Sequence, residues 1–141
     1  MFEKINVEFK SCIIRDPVKR FVSAFKNRIL FHRDKEFYDH SVDLIIDKLE
    51  NGLFENKHFL PQNYWLGDNL NFFNIIGDVS NIENFTKEIN NFFDKKINFP
   101  KIQTGGKEFI ISLNIDHIKK IKKIYSNDYD LIGDRIKGLK K

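Results

Sequence analysis

Cysteine occurs once in this 141-residue chain, at Cys12. A lone thiol excludes an intrachain disulfide framework and agrees with a reducing compartment. The four histidines and that cysteine show no zinc-like spacing, so no metal is expected. No apolar run is long enough to cross a membrane, and Met1-Phe2-Glu3-Lys4 does not open a signal peptide; a soluble, cytoplasmic domain is the expectation. Glycine is scarce as well: there are seven, and the first is Gly52. A backbone loop that wraps a phosphate needs residues free to take positive φ, so none is expected before that point. Nor does one sign of charge dominate, with 24 Lys and Arg against 20 Asp and Glu and a net charge of +4. That balance suits an anionic ligand but is too weak to imply nucleic acid. A helix-turn-helix pattern and an exposed aromatic–basic strand motif are also missing, so no nucleic-acid partner is expected. What is abundant is core material: 41% of residues are hydrophobic and 15 are Phe. One packed domain over residues 1–141 follows.

Val7 to Ile14 reads as a strand, with Val7, Phe9, Ser11 and Ile13 on one face and an end apolar enough to be buried by helices. Asp16 suits an N-cap and Pro17 the first helical position. Val18, Phe21, Val22, Phe25 and Ile29 then recur at helical spacing. A second helix is predicted from about Val42 to Glu50, with Ser41 or Asp39 as cap and Gly52 closing it. Phe54 to Asn71 has no clean period and reads as a loop. Phe72 to Gly77 is predicted as a second strand, and Ser80 as the cap of a helix with Ile82, Phe85, Ile89, Phe92 and Phe93 on its apolar face. Asn98 to Phe109 reads as loop. A last helix is expected over Ile115 to Tyr125, with Lys119, Lys120, Lys122 and Lys123 on a solvated face.

The most telling stretch is Arg15-Asp16-Pro17-Val18-Lys19-Arg20-Phe21-Val22, followed by Ser23. A helix N-terminus offers unpaired N–H groups and a partial positive charge; Arg15 adds a planar two-point donor and Ser23 a hydroxyl. This corner resembles the 3′-phosphate-binding motif of the carbohydrate sulfotransferases that use phosphoadenosine phosphosulfate (PAPS), the sulfotransferase family 2-like group. Three further segments follow in the family's order. His58-Phe59-Leu60-Pro61-Gln62 resembles its H-x-x-P-Q loop. Phe72 to Phe85, with Ile76-Gly77 and Ile82-Glu83-Asn84-Phe85, is similar to its strand, glycine, acidic-turn and helix segment. Tyr125 to Gly133, with Asp128-Tyr129 and Ile132-Gly133, resembles its C-terminal ending.

The resemblance implies an α/β, helix-rich, partial P-loop-NTPase-like fold with a short parallel sheet. It also implies transfer of a sulfuryl group from PAPS to a glycan hydroxyl. Arg15 and Ser23 would then hold the 3′-phosphate of PAPS or of its product PAP, facing one pocket at the end of the first strand. Lys107, after Gly105-Gly106, sits where the family often has a basic loop that completes this site; an ordinary glycine turn explains the same residues. His58 is the candidate general base, because an imidazole titrates near neutrality and lies in the acceptor-side loop. Capping of that loop explains the same residue. His32 and His40 are weaker candidates, and His117 reads as a surface residue. Tyr64 and Trp65 suit either sugar stacking or loop packing.

The family's 5′-phosphosulfate loop has no counterpart in the fourteen residues before Arg15. The expectation is therefore a domain incomplete at its N-terminus, inactive or weakly active alone, with an exposed sheet edge open to self-association. The alternative reading is a non-catalytic module that keeps the scaffold for anionic-ligand or partner binding.

Overall fold

A computed structural model of the protein describes residues 8–37, 39–99 and 105–136. It is helix-rich around a two-stranded parallel sheet. Strand β1 (Ser11–Ile14) pairs with β2 (Ile75–Asp78) in the register Ser11↔Ile75 to Ile14↔Asp78. Helices α1 (Pro17–Ala24), α2 (Val42–Glu50) and α3 (Gln62–Leu66) lie between the strands in sequence, and α4 (Ile82–Phe93), α5 (Ile115–Ile124) and α6 (Ser126–Ile132) follow them. Among the described residues each strand has one neighbour. No helix is long and apolar enough to cross a membrane.

The strand-to-helix corner forms for local reasons. Asp16 is the N-cap of α1, its Oδ1 accepting from the Lys19 amide at 3.0 Å, and Pro17 is buried in the first turn. Proline costs nothing there, since its missing N–H would have no intrahelical partner. Past Ala24 the chain continues as a π-helical turn over Phe25–Phe31. Ser41 caps α2 by accepting from the Leu44 amide at 3.2 Å, and Gly52 takes a φ of 76° just beyond its end.

Two apolar clusters hold the elements. Phe21, Phe25, Ile45, Ile46, Phe59 and Ile121 pack α1, α2 and α5 together. Cys12, Ile14, Leu70, Ile132 and Ile136 pack the sheet against α6. Burial of Cys12 pushes its thiol up to about 11, so it is a small core residue rather than a reactive one.

Several expectations need correction. In β1 the buried residues are Cys12 and Ile14, while Ser11 and Ile13 are exposed; one face of the strand is buried, not both. Val7 lies outside the described residues, and Phe9 precedes the strand, its ring 4.4 Å from that of Phe92. The second strand begins at Ile75 because Phe73 is held in a turn by Leu70, and Asn74 opens the ladder by bonding Lys10 with both backbone and side chain. Asn81, not Ser80, caps α4; Ser80 sits in a preceding turn under Asp78. The stretch expected as loop contains α3 and a 3-10 turn at Lys57–Phe59. His117 is only 12% exposed and joins α5 to α2 by donating from Nε2 to Asp43 Oδ1 at 2.9 Å.

Gly77 is where β2 and α4 meet. A Cβ there would lie 2.5 Å from the Phe85 Cγ and 2.8 Å from the Phe85 Cβ. Gly77→Ala is therefore expected to destabilise the protein by about 1–3 kcal/mol through overpacking. A chemical-denaturation midpoint unchanged from the parent would contradict the close approach.

Candidate functional site

Arg15 leaves the end of β1 one residue before the cap of α1. Its backbone is clamped at two points by Gln62: the Arg15 N–H donates to Gln62 Oε1 at 2.9 Å, and Gln62 Nε2 donates back to the Arg15 carbonyl at 2.8 Å. Gln62 is held in turn by Asp128. One carboxylate oxygen accepts from the Gln62 amide at 2.8 Å and the other from the Asn63 amide at 2.8 Å, which caps the start of α3. Nearby, Arg20 Nη1 donates to the Leu60 carbonyl at 2.6 Å, and the Tyr125 hydroxyl to the Phe59 carbonyl at 2.7 Å. The Arg15 corner, the loop around Pro61 and the Tyr125–Asp128 segment thus form one hydrogen-bonded frame.

Two adjoining cavities open on this frame. One, of about 410 Å³, is lined by Arg15, Arg20, Ser23, Asn27, Lys57, His58, Trp65 and Gly105. The other, of about 510 Å³, shares Arg15, Ser23 and Gly105 and adds Lys19, Lys26, Val79, Gly106 and Lys107. Among the described residues neither has a carboxylate in its lining. A larger depression of about 990 Å³ runs along α4, with Glu83, Lys87, Asp94 and Lys95 mixing both charges. It gathers none of the motif residues, so size does not identify the site.

The electrostatics of the shared wall favour an anion. Burial, and then the neighbouring Arg20, press the Arg15 guanidinium below its ordinary value, against weaker support from Asp16 and Asp78. Arg15 remains a cation, since guanidinium does not deprotonate in proteins. Its side chain makes no ion pair or hydrogen bond among the described residues. A half-buried arginine with no carboxylate in contact gains most when an anion with paired oxygens arrives. Arg20 is lowered chiefly by burial as well, with Tyr125 and Asp128 opposing.

The four residues singled out in the sequence converge here. Arg15 and Ser23 line both cavities, His58 the first and Lys107 the second. The glycines before Lys107 have packing reasons of their own. Gly106 takes a φ of 88°, and a Cβ there would lie 2.9 Å from the Lys26 carbonyl; one at Gly105 would meet the Phe31 ring at 2.7 Å. They let this turn lie against the π-helical segment, and so set Lys107 at the cavity rim. Trp65 is 38% exposed and lines the first cavity, whereas Tyr64, its ring 5.0 Å away, does not. His32 and His40 line neither.

His58 stands at the exposed lip of the first cavity. Partial burial and the charge of Arg28 lower its pKa below that of an ordinary imidazole, with Asp34 opposing. It is therefore neutral and able to accept a proton at pH 7.

Sequence reasoning quoted Gln62 and Asp128 within motifs but gave them no role. The same holds of Arg20 in the Arg15–Val22 stretch, whereas Asn56 and Asp34 lie outside the quoted motifs. Asn56, Gln62 and Asp128 are the buried polar or charged residues among those described; Gln62 and Asp128 belong to this frame, and the Asn56 side chain lies between Asp34 and His58. No curated protein and no solved structure matches the chain. The model described as "Sulfotransferase family" matches residues 3–133, which takes in the Arg15 corner, the His58–Gln62 loop, the Gly77 strand and the Tyr125–Asp128 segment; the chain belongs to the sulfotransferase family.

Proposed function

We propose that this protein binds the 3′-phosphate of PAPS or PAP between Arg15 and Ser23, with Lys107 at the rim, and serves sulfuryl transfer to a glycan hydroxyl. The observation that supports this most is the state of Arg15: its backbone is clamped on both sides, and among the described residues its guanidinium has no partner and the cavity lining no carboxylate. The clamp fixes where the side chain starts, so the backbone of this corner needs no reordering when a phosphate binds. In the reaction, a bond forms between the acceptor oxygen and sulfur as the bond from sulfur to the 5′-phosphate oxygen breaks. The acceptor proton passes to Nε2 of His58, and PAP departs. The exposed position of His58 lets a bulky acceptor reach it, and Trp65 beside it offers a face on which a sugar can stack.

Calorimetric titration with PAP tests the binding half. Arg15→Ala is expected to weaken PAP by about 1.5–3 kcal/mol, the loss of a charge-assisted contact. Lys120→Ala, which removes an exposed cation paired with Asp116 on α5, changes a screened attraction only and is expected to have little effect. Equal losses would mean that general positive charge is responsible. PAP binding without any transfer to a glycan would favour the non-catalytic anion-binding module.

A further inference from the structure

Three residues behind His58 form a chain that ends on its ring. Arg28 makes a two-point ion pair with Asp34, Nε to Oδ2 and Nη2 to Oδ1, both at 2.7 Å. Asp34 Oδ2 accepts from Asn56 Nδ2 at 2.9 Å. Asn56 Oδ1 then faces His58 twice, accepting from its backbone N–H at 3.0 Å and lying 2.9 Å from its Nδ1. Asn56 is buried, at 8% exposure, and the Asp34 side chain is 11% exposed.

The polarity of this chain can be read from end to end. A carboxylate held by arginine only accepts, so the Asn56 atom that meets it must be the NH₂. The opposite end of that amide is then the carbonyl oxygen, which cannot donate. Turning the amide over would set NH₂ against the His58 backbone N–H and oxygen against the Asp34 carboxylate, and both contacts would be repulsive. Because Asn56 Oδ1 only accepts, neutral His58 must carry its proton on Nδ1. The lone pair is left on Nε2.

We propose that Asn56, oriented by the Arg28–Asp34 ion pair, is a positioning residue that fixes His58 as the Nδ1–H tautomer and keeps Nε2 free to take the acceptor's proton. This rests on the reading of His58 as the base, but the tautomer itself can be observed without turnover. An amide between carboxylate and imidazole has a further consequence. A carboxylate in direct contact with Nδ1 would fix the same tautomer and also stabilise the imidazolium, which would raise the pKa of the base. The neutral amide transmits orientation while Asp34 stays one residue removed and is neutralised by Arg28. The other charged groups that act on His58, namely Arg20, Arg28 and His32, all disfavour the imidazolium, and partial burial adds to them.

The test uses the full chain with ¹⁵N-labelled histidine and two-bond proton–nitrogen correlation at a pH where His58 is neutral, with His58→Ala identifying its signals. The parent protein is expected to give a protonated, pyrrole-type Nδ1 and an unprotonated Nε2. In Asn56→Ala, and in the milder Asp34→Asn that leaves Asn56 in place but unlocks its orientation, the Nε2–H form is expected to become populated. PAP affinity should stay within about twofold in Asp34→Asn, since the Arg15 corner is clamped separately by Gln62. A parent His58 protonated on Nε2 would overturn the proposal even if both variants fail to fold. So would folded variants whose tautomer is unchanged. A correct tautomer combined with full turnover in His58→Ala would remove the base assignment and leave the positioning of the ring standing.

Discussion

Asp128→Ala is expected to lower stability by about 2–5 kcal/mol, because it strands one buried and one part-buried backbone donor at once, each worth about 1–3 kcal/mol when left unmade and the part-buried one less than the maximum. Asp128 is completely buried, and its two oxygens accept the Gln62 and Asn63 amides at 2.8 Å each. Alanine returns neither bond and leaves a hole in the wall between α3 and α6. Asp128→Asn separates the two contributions: one oxygen remains an acceptor, while the NH₂ turns a donor towards a donor. Its cost is expected to be roughly half that of alanine. The exposed Lys48–Glu55 pair, at 3.3 Å, is the control; Glu55→Ala is expected to cost less than about 1 kcal/mol. Thermal melts of the three variants order them. If Asp128→Ala melts with the parent, the frame does not depend on this carboxylate. The consequence also reaches the phosphate corner, since Gln62 holds Arg15 on both sides only while Asp128 holds Gln62. PAP affinity is expected to fall in Asp128→Ala even at temperatures where it remains folded.

The same residue explains why part of this fold could be read from the chain and part could not. Helix α1 was legible because its start is local: Asp16 and Pro17 lie next to the apolar period they introduce, and the cap bond spans three residues. The same is true of α2, where Ser41 caps and Gly52 takes a positive φ. Helix α3 was not legible, because it has five residues and no side-chain cap of its own; Asp128, 66 residues away, supplies one. Short helices gain little from propensity and depend on such tertiary partners. The choice of Asn81 over Ser80 at α4 is of another kind. Both are good cap residues, and Asp78 decides between them by drawing Ser80 into a turn.

The site divides along the same line. Arg15, Ser23, His58 and Lys107 have chemical types that stand out in a sequence, and they line two adjoining cavities. Gln62, Asn56 and Asp34 act by orienting other groups, and their types are common in loops. Only the fold distinguishes them, through bonds that cross 47 residues from Gln62 to Arg15 and 22 from Asn56 to Asp34. His117 is the converse case. A histidine among lysines suggests solvent, yet its ring completes a capping box with Asn114 and meets Asp43.

Wherever sulfuryl transfer is measured, His58→Ala is expected to lower kcat by about 100-fold or more, the usual range for removing a positioned base. PAP affinity should be retained, because the proton comes from the acceptor and not from the 3′-phosphate. The pH profile makes the assignment specific. Partial burial, followed by Arg28, lowers the His58 pKa, so more than half of the base is neutral where an ordinary imidazole is half protonated. The acid limb of kcat/KM for the parent is therefore expected below pH 6.5, with a plateau through neutrality. Linkage has the same sign. The folded state takes up its proton at lower pH than the unfolded state, so the contribution to stability is complete above the unfolded value and is lost as pH falls through the folded one. In His58→Ala both the acid limb and that increment of acid sensitivity should disappear. Arg28→Gln, which withdraws one of the charges opposing protonation and also frees Asp34, should shift the limb upward instead. A limb that stays in place in His58→Ala would assign it to another group, and a loss of turnover under about fivefold would take His58 out of the proton-transfer step.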